Sequence, residues 1–379
     1  MNKPPRNRSF SNPGLHERRS LRLSKFGARE LCSRFSSLFS LFSLFSLHSV
    51  SLRSVLSFFF LFLSPYEKFS LAMPRSFIRF LHILYLLNLI YFLSACHQPP
   101  QSTITIGSKF FTEQVVLAEL LAQHIEARTG IHVIRKTNLG GTLLVHKALL
   151  SGDLDLYVEY TGTALTAVLN ETPASLLAGS QKNGDSAAIY NRVKQLYAER
   201  FHLEVTEPLG FENTFAMVIR GDDAQRLHLR TISDIAPLAP HWRVGVGYEF
   251  LERPDGFPGW SARYHLRFAA QPRVMDLGLI YRALIDHQVD IVAGNSTDGL
   301  IDSLHLVALE DDLHYFPPYD AVPVVRQSTL AKFPQLRAAL ADLAGKLSAA
   351  DMRRLNAQVD VDQRDVAAVV RAFRQSRGL

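Results

Sequence analysis

Apolar and polar positions alternate along residues 103–379 in short blocks of two periods. Ile104 and Ile106 flank Thr105, the two-residue period of a strand. Leu117, Leu121 and Ile125 then recur every fourth residue, which predicts a helix over 112–128 with Thr112 as N-cap and Glu113 in its first turn. The same reading predicts a strand at 132–135, a helix over 142–150 and a strand at 154–158. Further strands are expected at 216–219, 243–246 and 290–292, and helices over 275–287, 328–347 and 362–376. Repeated β-α-β alternation predicts mostly parallel sheets covered on both faces. Residues 103–379 contain no tandem repeat.

The segment before 103 obeys different rules. Arg75 and Arg79 precede a nearly all-apolar run at 80–93, which ends in Leu93-Ser94-Ala95-Cys96. A positive start, an apolar middle and a small-residue exit are the parts of a secretory signal. The run is short for a membrane span. This exit resembles the lipobox of bacterial lipoproteins, which implies a signal peptide at 73–95, acylation of Cys96, a tether at 96–102 and an extracytoplasmic location for the rest of the chain. Upstream, Ser-Leu-Phe triplets repeat between residues 36 and 64 without helical or strand period. Residues 1–72 are therefore expected to be a low-complexity leader from a mis-annotated start, with Met73 as the first residue of the product.

This boundary changes the meaning of the charge. The chain carries +6 overall. Residues 1–72 hold eleven Lys and Arg against three Asp and Glu, and Arg75 and Arg79 add two more positive charges, which leaves residues 96–379 at −4. The basic balance belongs to the leader, so nucleic acid is not an expected partner. Cys32 lies in the leader and Cys96 is the sole cysteine after it, so neither a disulfide nor a cysteine-based metal site is available to the folded part.

Searches for catalytic chemistry return little. There is no Gly-x-x-x-x-Gly-Lys-Ser/Thr, no Gly-x-Ser-x-Gly and no His-Glu-x-x-His, and the histidines show no metal-ligand spacing. No cofactor and no metal are expected. Loops that combine glycine or proline with polar and aromatic residues are more frequent. They lie at 107–114, 138–142, 159–163, 210–215, 252–256, 295–299 and 317–320. Most adjoin an expected strand, where ligands gather in open α/β sheets.

Taken together, the run 107–114, Leu139-Gly140-Gly141-Thr142, the run 152–163, Arg253-Pro254-Asp255-Gly256, Ser296-Thr297-Asp298-Gly299 and the run 309–320 resemble one family. It is the substrate-binding proteins of osmoprotectant ABC importers for glycine betaine, choline, carnitine and related quaternary amines. The resemblance implies a type II periplasmic binding fold: two α/β lobes joined by two crossing segments, with ligand in the interlobe cleft. Lobe 1 would hold 103–207 and 322–379, and lobe 2 would hold 212–318. It implies no enzymatic step, a small quaternary amine as ligand, an ABC permease and through it an ATPase as partners, a lipid-anchored periplasmic or cell-surface location, and a monomer. An extracytoplasmic sensor on the same fold, or an enzyme built on a binding-protein scaffold, are the alternatives.

Carried over position by position, the resemblance assigns the anion end of the ligand to Lys109, Thr163 and Arg253. Its aromatic cage falls to Tyr160, Phe215 and Tyr319, with Asn213 beside it. A quaternary ammonium has no N–H to donate, so aromatic faces suit it better than hydrogen-bond acceptors do. Two positions depart from the family pattern: Phe215 and Asn295 stand where its members usually have tyrosine. One cage wall is then missing unless Phe110, Tyr248 or Trp260 replaces it. Weaker glycine betaine binding, or a ligand with a polar group for Asn295, is the expectation.

Overall fold

A computed structural model describes residues 102–172 and 182–379, with the isolated helical positions Ser76, Arg79, His82, Ile83 and Leu86. The leader, nearly all of the signal segment, Cys32, Cys96 and most of the tether lie outside the described residues. The sheets, helices and cavity all belong to the unit Gln98–Leu379.

The chain opens with β1 (Thr103–Gly107), α1 (Thr112–Thr129), β2 (His132–Lys136), α2 (Thr142–Ser151) and β3 (Leu156–Tyr160). Next come α3 (Lys182–Phe201), β4 (Leu203–Val205), β5 (Phe215–Arg220), α4 (Gly221–Leu227), β6 (Val244–Val246), α5 (Tyr248–Glu252) and α6 (Phe257–Arg263). It continues through β7 (Arg273–Val274), α7 (Ile280–Ile285), β8 (Ile291–Asn295), α8 (Leu300–Ser303), β9 (Leu306–Ala308) and β10 (Ala321–Arg326). Four helices close the chain: α9 (Gln327–Lys332), α10 (Leu336–Ala341), α11 (Ala349–Asp360) and α12 (Val366–Arg377).

Two five-stranded sheets result, ordered β2-β1-β3-β10-β4 and β7-β6-β8-β5-β9. They share one plan. Three strands run parallel, and the fourth enters antiparallel between the third and the edge strand. The edge strand runs with the first three, so four of the five strands of each sheet point one way, as expected, and a single antiparallel strand makes each sheet mixed. The antiparallel strands are β5 and β10, on which the chain enters its second sheet and returns to the first. Just outside them, the two connecting stretches pair with each other: the Asn213 amide donates to the Tyr319 carbonyl at 3.1 Å, and Ala321 to Phe211 at 3.0 Å. Both faces of each sheet are covered, by four hydrophobic clusters.

Helix α1 shows why its stripe matters. Leu117, Leu121 and Ile125 are fully buried, as are Val116 and Leu120 beside them, because α1 is packed between its sheet and the C-terminal helices. Burying each such side chain contributes about 1.5–3 kcal/mol. Thr112 is not the cap. Phe111 occupies that position, and the Thr112 hydroxyl donates instead to Asp360 at 2.6 Å. The single helix expected over 328–347 is two, because Phe333 before Pro334 is kept out of the helical region. Helix α11 went unforeseen despite a clear local signal: Ser348 and Asp351 cap it reciprocally. Histidines fill an unusual role. His202, His228, His265, His287 and His305 all take left-handed backbone angles just past helix ends, where glycine is commonest.

Candidate functional site

The cavity is lined by residues of both sheets and of the paired connecting stretches. All eight residues singled out as ligand-binding line it: Lys109, Tyr160, Thr163, Asn213, Phe215, Arg253, Asn295 and Tyr319. Its volume is about 50 Å³. Phe110 and Tyr248, named as replacement walls, also line it, whereas Trp260 is fully buried in the core of the second sheet. Phe250 stands between Trp260 and the cavity, with ring centroids 6.0 Å apart.

Topology explains the convergence. Tyr160 ends β3, and the chain turns at once into a short helical segment, Thr161–Thr163, which brings Thr163 to the same rim. Phe215 begins β5 and Asn295 ends β8, and the two are register partners in neighbouring antiparallel strands. Tyr319 and Asn213 come from the paired connecting stretches. Gly162 is required there, because a Cβ on it would lie 2.7 Å from the Tyr319 ring.

Buried charge organises the floor. Lys109, 2% exposed, forms an ion pair with the fully buried Glu159, which also accepts from the Tyr157 hydroxyl at 3.1 Å. Arg253, 9% exposed, grips Asp255 with Nε at 2.9 Å and with Nη2 on the other oxygen. Burial alone would lower Arg253, but the Asp255 charge raises it above the ordinary value. Burial would likewise push Asp255 up, and the Arg253 charge holds it below the usual carboxylate range. Neither cation is the solvated surface charge that a lone Lys or Arg in a loop commonly is. Each was chosen as an anion contact, yet each already has a carboxylate partner.

The rings are similarly engaged. The Lys109 ammonium lies 5.2 Å from the Tyr160 centroid, and the Arg253 guanidinium 4.9 Å from that of Phe215. Phe111 stacks near Tyr160 at 6.4 Å and 23°. Phe215 meets Tyr319 edge-on at 6.0 Å and Phe250 at 4.8 Å. The Tyr160 hydroxyl donates to Glu113 at 2.6 Å. Glu113 is 1% exposed and also accepts from the Asn213 and Asn356 amides, at 2.8 and 3.3 Å. Burial pushes its carboxyl up, and its hydrogen-bond donors work against that. Asn295 lines the cavity with its amide only loosely tied to Asp298, at 3.4 Å.

Sequence reasoning missed Phe111, Phe250, Gly247, Glu249, Leu277 and Ala293 as lining residues. Phe111 sits inside a quoted motif and was within reach. The others lie in no motif and enter the cavity because β6, α5, β8 and the stretch between β7 and α7 carry them there. Among the described residues no cluster of His, Cys, Asp and Glu could hold a metal ion, and no helix is long and apolar enough to cross a membrane.

Residues 102–376 match the family described as the substrate binding domain of ABC-type glycine betaine transport systems. A carnitine transport binding protein of Listeria monocytogenes is 34% identical over 310 residues, spanning 80% of this chain and 97% of the relative. A glycine-betaine-binding protein of Pseudomonas aeruginosa is 37% identical over 281 residues, 72% of this chain and 86% of its own length. A crystal structure of a glycine betaine/carnitine/choline ABC transporter component superimposes with a TM-score of 0.60 at 31% identity, over 73% of this chain and 98% of that one.

Proposed function

Because this chain belongs to the substrate-binding domains of ABC-type glycine betaine transport systems, we propose that its cavity holds a small quaternary amine and that the protein hands this solute to an ABC permease. The observation that carries the reading is the meeting of Tyr160, Phe215 and Tyr319 with Lys109, Arg253 and Thr163 on one small cavity. Aromatic faces attract a methylated cation by about 0.5–2 kcal/mol per ring, with little hydration to lose. The opposite end suits a carboxylate. Arg253 uses Nε and Nη2 on Asp255, which leaves its Nη1 donors for a ligand, and Lys109 uses one of three N–H groups on Glu159. Glu159 and Asp255 thereby keep two cations buried and oriented without leaving uncompensated charge.

Two lobes that close on the solute make the hand-over reversible, since opening about the paired stretches at Phe211–Asn213 and Tyr319–Ala321 releases it. Acylation at Cys96 would tether the receptor to the membrane beside its permease. Calorimetry and thermal shift with glycine betaine, choline, carnitine and ergothioneine test the ligand class, because a solute that binds only the native state raises its melting point. Absence of any shift with all four at millimolar concentration overturns the reading. Mass measurement of the protein from a membrane fraction tests the anchor, and a cytosolic, unmodified product rules it out.

A further inference from the structure

Helix α2 begins beside the cavity residue Glu249 without a side-chain cap of its own. Its N-cap is Gly141, which has no side chain to offer, and its first turn holds no acidic residue. The free amides of a helix start attract an acceptor, above all an anionic one. Here the acceptor comes from the opposite side of the cleft. Glu249, in α5 of the second sheet's lobe, accepts a hydrogen bond from the Thr142 amide through Oε1 at 2.7 Å. Glu249 also lines the cavity, between Tyr248 and Phe250. Gly141 leaves room for it, because a Cβ there would lie 2.9 Å from Oε1 and 3.1 Å from Cδ. The Gly141 backbone, at φ −78°, is one that any residue adopts. Its glycine is thus explained by the approach of the carboxylate and not by chain geometry.

Other contacts cross elsewhere: Asn356 of α11 donates to the Thr297 carbonyl at 2.9 Å, and the Arg353 guanidinium to the Ser296 carbonyl at 3.4 Å. None of these four residues lines the cavity. The Glu249 contact is charge-assisted and is made by a residue of the cavity lining. We infer that Glu249 is the latch of the clamp: it caps α2 only when the lobes have closed, and so sets how long a bound solute is held. This rests on the proposed solute-binding function. Closure forms the bond and opening breaks it, so its strength favours the closed state over the open one and slows release, with little effect on capture. Glu249 acts here as a positioning residue, through α2 and not on the solute.

Stopped-flow release and association rates should be measured with choline and with glycine betaine, for the unaltered protein, Glu249→Ala and Gly141→Ala. A hydrogen bond to a charged group predicts release that is roughly tenfold faster or more in Glu249→Ala, with association unchanged. Gly141→Ala displaces the carboxylate without removing it and should move release in the same direction. The melting point of the solute-free protein should not move in either variant. In Gly141→Ala, which leaves the cavity lining itself intact, the fold-change should be the same for both probes. Unchanged release in both variants, or an effect confined to one probe, overturns the latch while leaving the binding function intact. If neither probe binds the unaltered protein, the transport reading falls, and the latch falls with it.

Discussion

The Tyr319 hydroxyl donates to Asp255 at 2.5 Å, the same carboxylate that holds the Arg253 guanidinium. One buried anion therefore fixes both an aromatic wall of the cavity and the guanidinium beside it. Arg253→Ala should leave Asp255, 6% exposed, without its counter-charge. The cost expected for breaking such a buried pair is about 3–5 kcal/mol of folding stability. Urea unfolding of Arg253→Ala, Asp255→Ala and the double variant measures it. The double variant should be less destabilised than the two single losses summed, and simple additivity would mean the pair is solvated.

Tyr319→Ala removes a buried ring from the cavity. A desolvated aromatic face predicts a loss of about 1–2 kcal/mol in binding a quaternary amine, roughly five- to thirtyfold in Kd. Gly162→Ala tests the same wall without deleting it, since the new methyl group would press on the ring from 2.7 Å. It should weaken binding too. Unchanged affinity in both variants would remove Tyr319 from the site.

His146, on α2, is buried against Tyr197 and Phe201, at ring distances of 5.5 and 4.9 Å. Both its ring nitrogens are buried without a hydrogen-bond partner. Burial first, and the Lys109 charge second, push its pKa down to about 4. The unfolded chain takes up the proton near pH 6.5 and the folded protein does not, so stability is full above 6.5 and declines as the pH falls toward 4. By pH 5 the loss from this group should be about 2 kcal/mol. His146→Leu should flatten the fall in denaturant midpoint between pH 7 and 5, and an equal slope in both proteins would show the imidazole to be hydrated.

His228 ends α4 with φ at 54° and an exposed side chain. A side chain in this conformation costs energy that glycine does not incur. His228→Gly should raise stability by about 0.5 kcal/mol, the saved strain exceeding the extra freedom of the unfolded chain. A lowered melting point would mean that the imidazole itself contributes to the helix end.

Much of the fold was legible in short windows. The stripe of Leu117, Leu121 and Ile125 located α1, and the Ile104–Ile106 alternation located β1. Windows failed where a breaker or partner decided the outcome. Pro334 split the expected C-terminal helix, and α7 proved shorter than its apolar pattern, at Ile280–Ile285. Strand β10, which is buried on both faces, was not foreseen because a continuous apolar run at 321–325 has no period to read. The cavity lining was partly legible by resemblance: the eight residues singled out, spread over 211 positions from Lys109 to Tyr319, all reach one cavity.

By itself the sequence determined which side chains could make a cage and an anion end, and which stretches would be helix or strand. Those choices depend on neighbours a few residues away, through periodicity, caps and turns. Only the tertiary structure decided that Lys109 meets Glu159 fifty positions on, that Trp260 backs the cage while Phe250 faces it, and that Glu249 reaches Thr142 across the cleft. The first follows from the parallel pairing of β1 with β3, the second from packing within the second sheet's core, and the last from the two crossings of the chain, and none of these is visible in a local pattern.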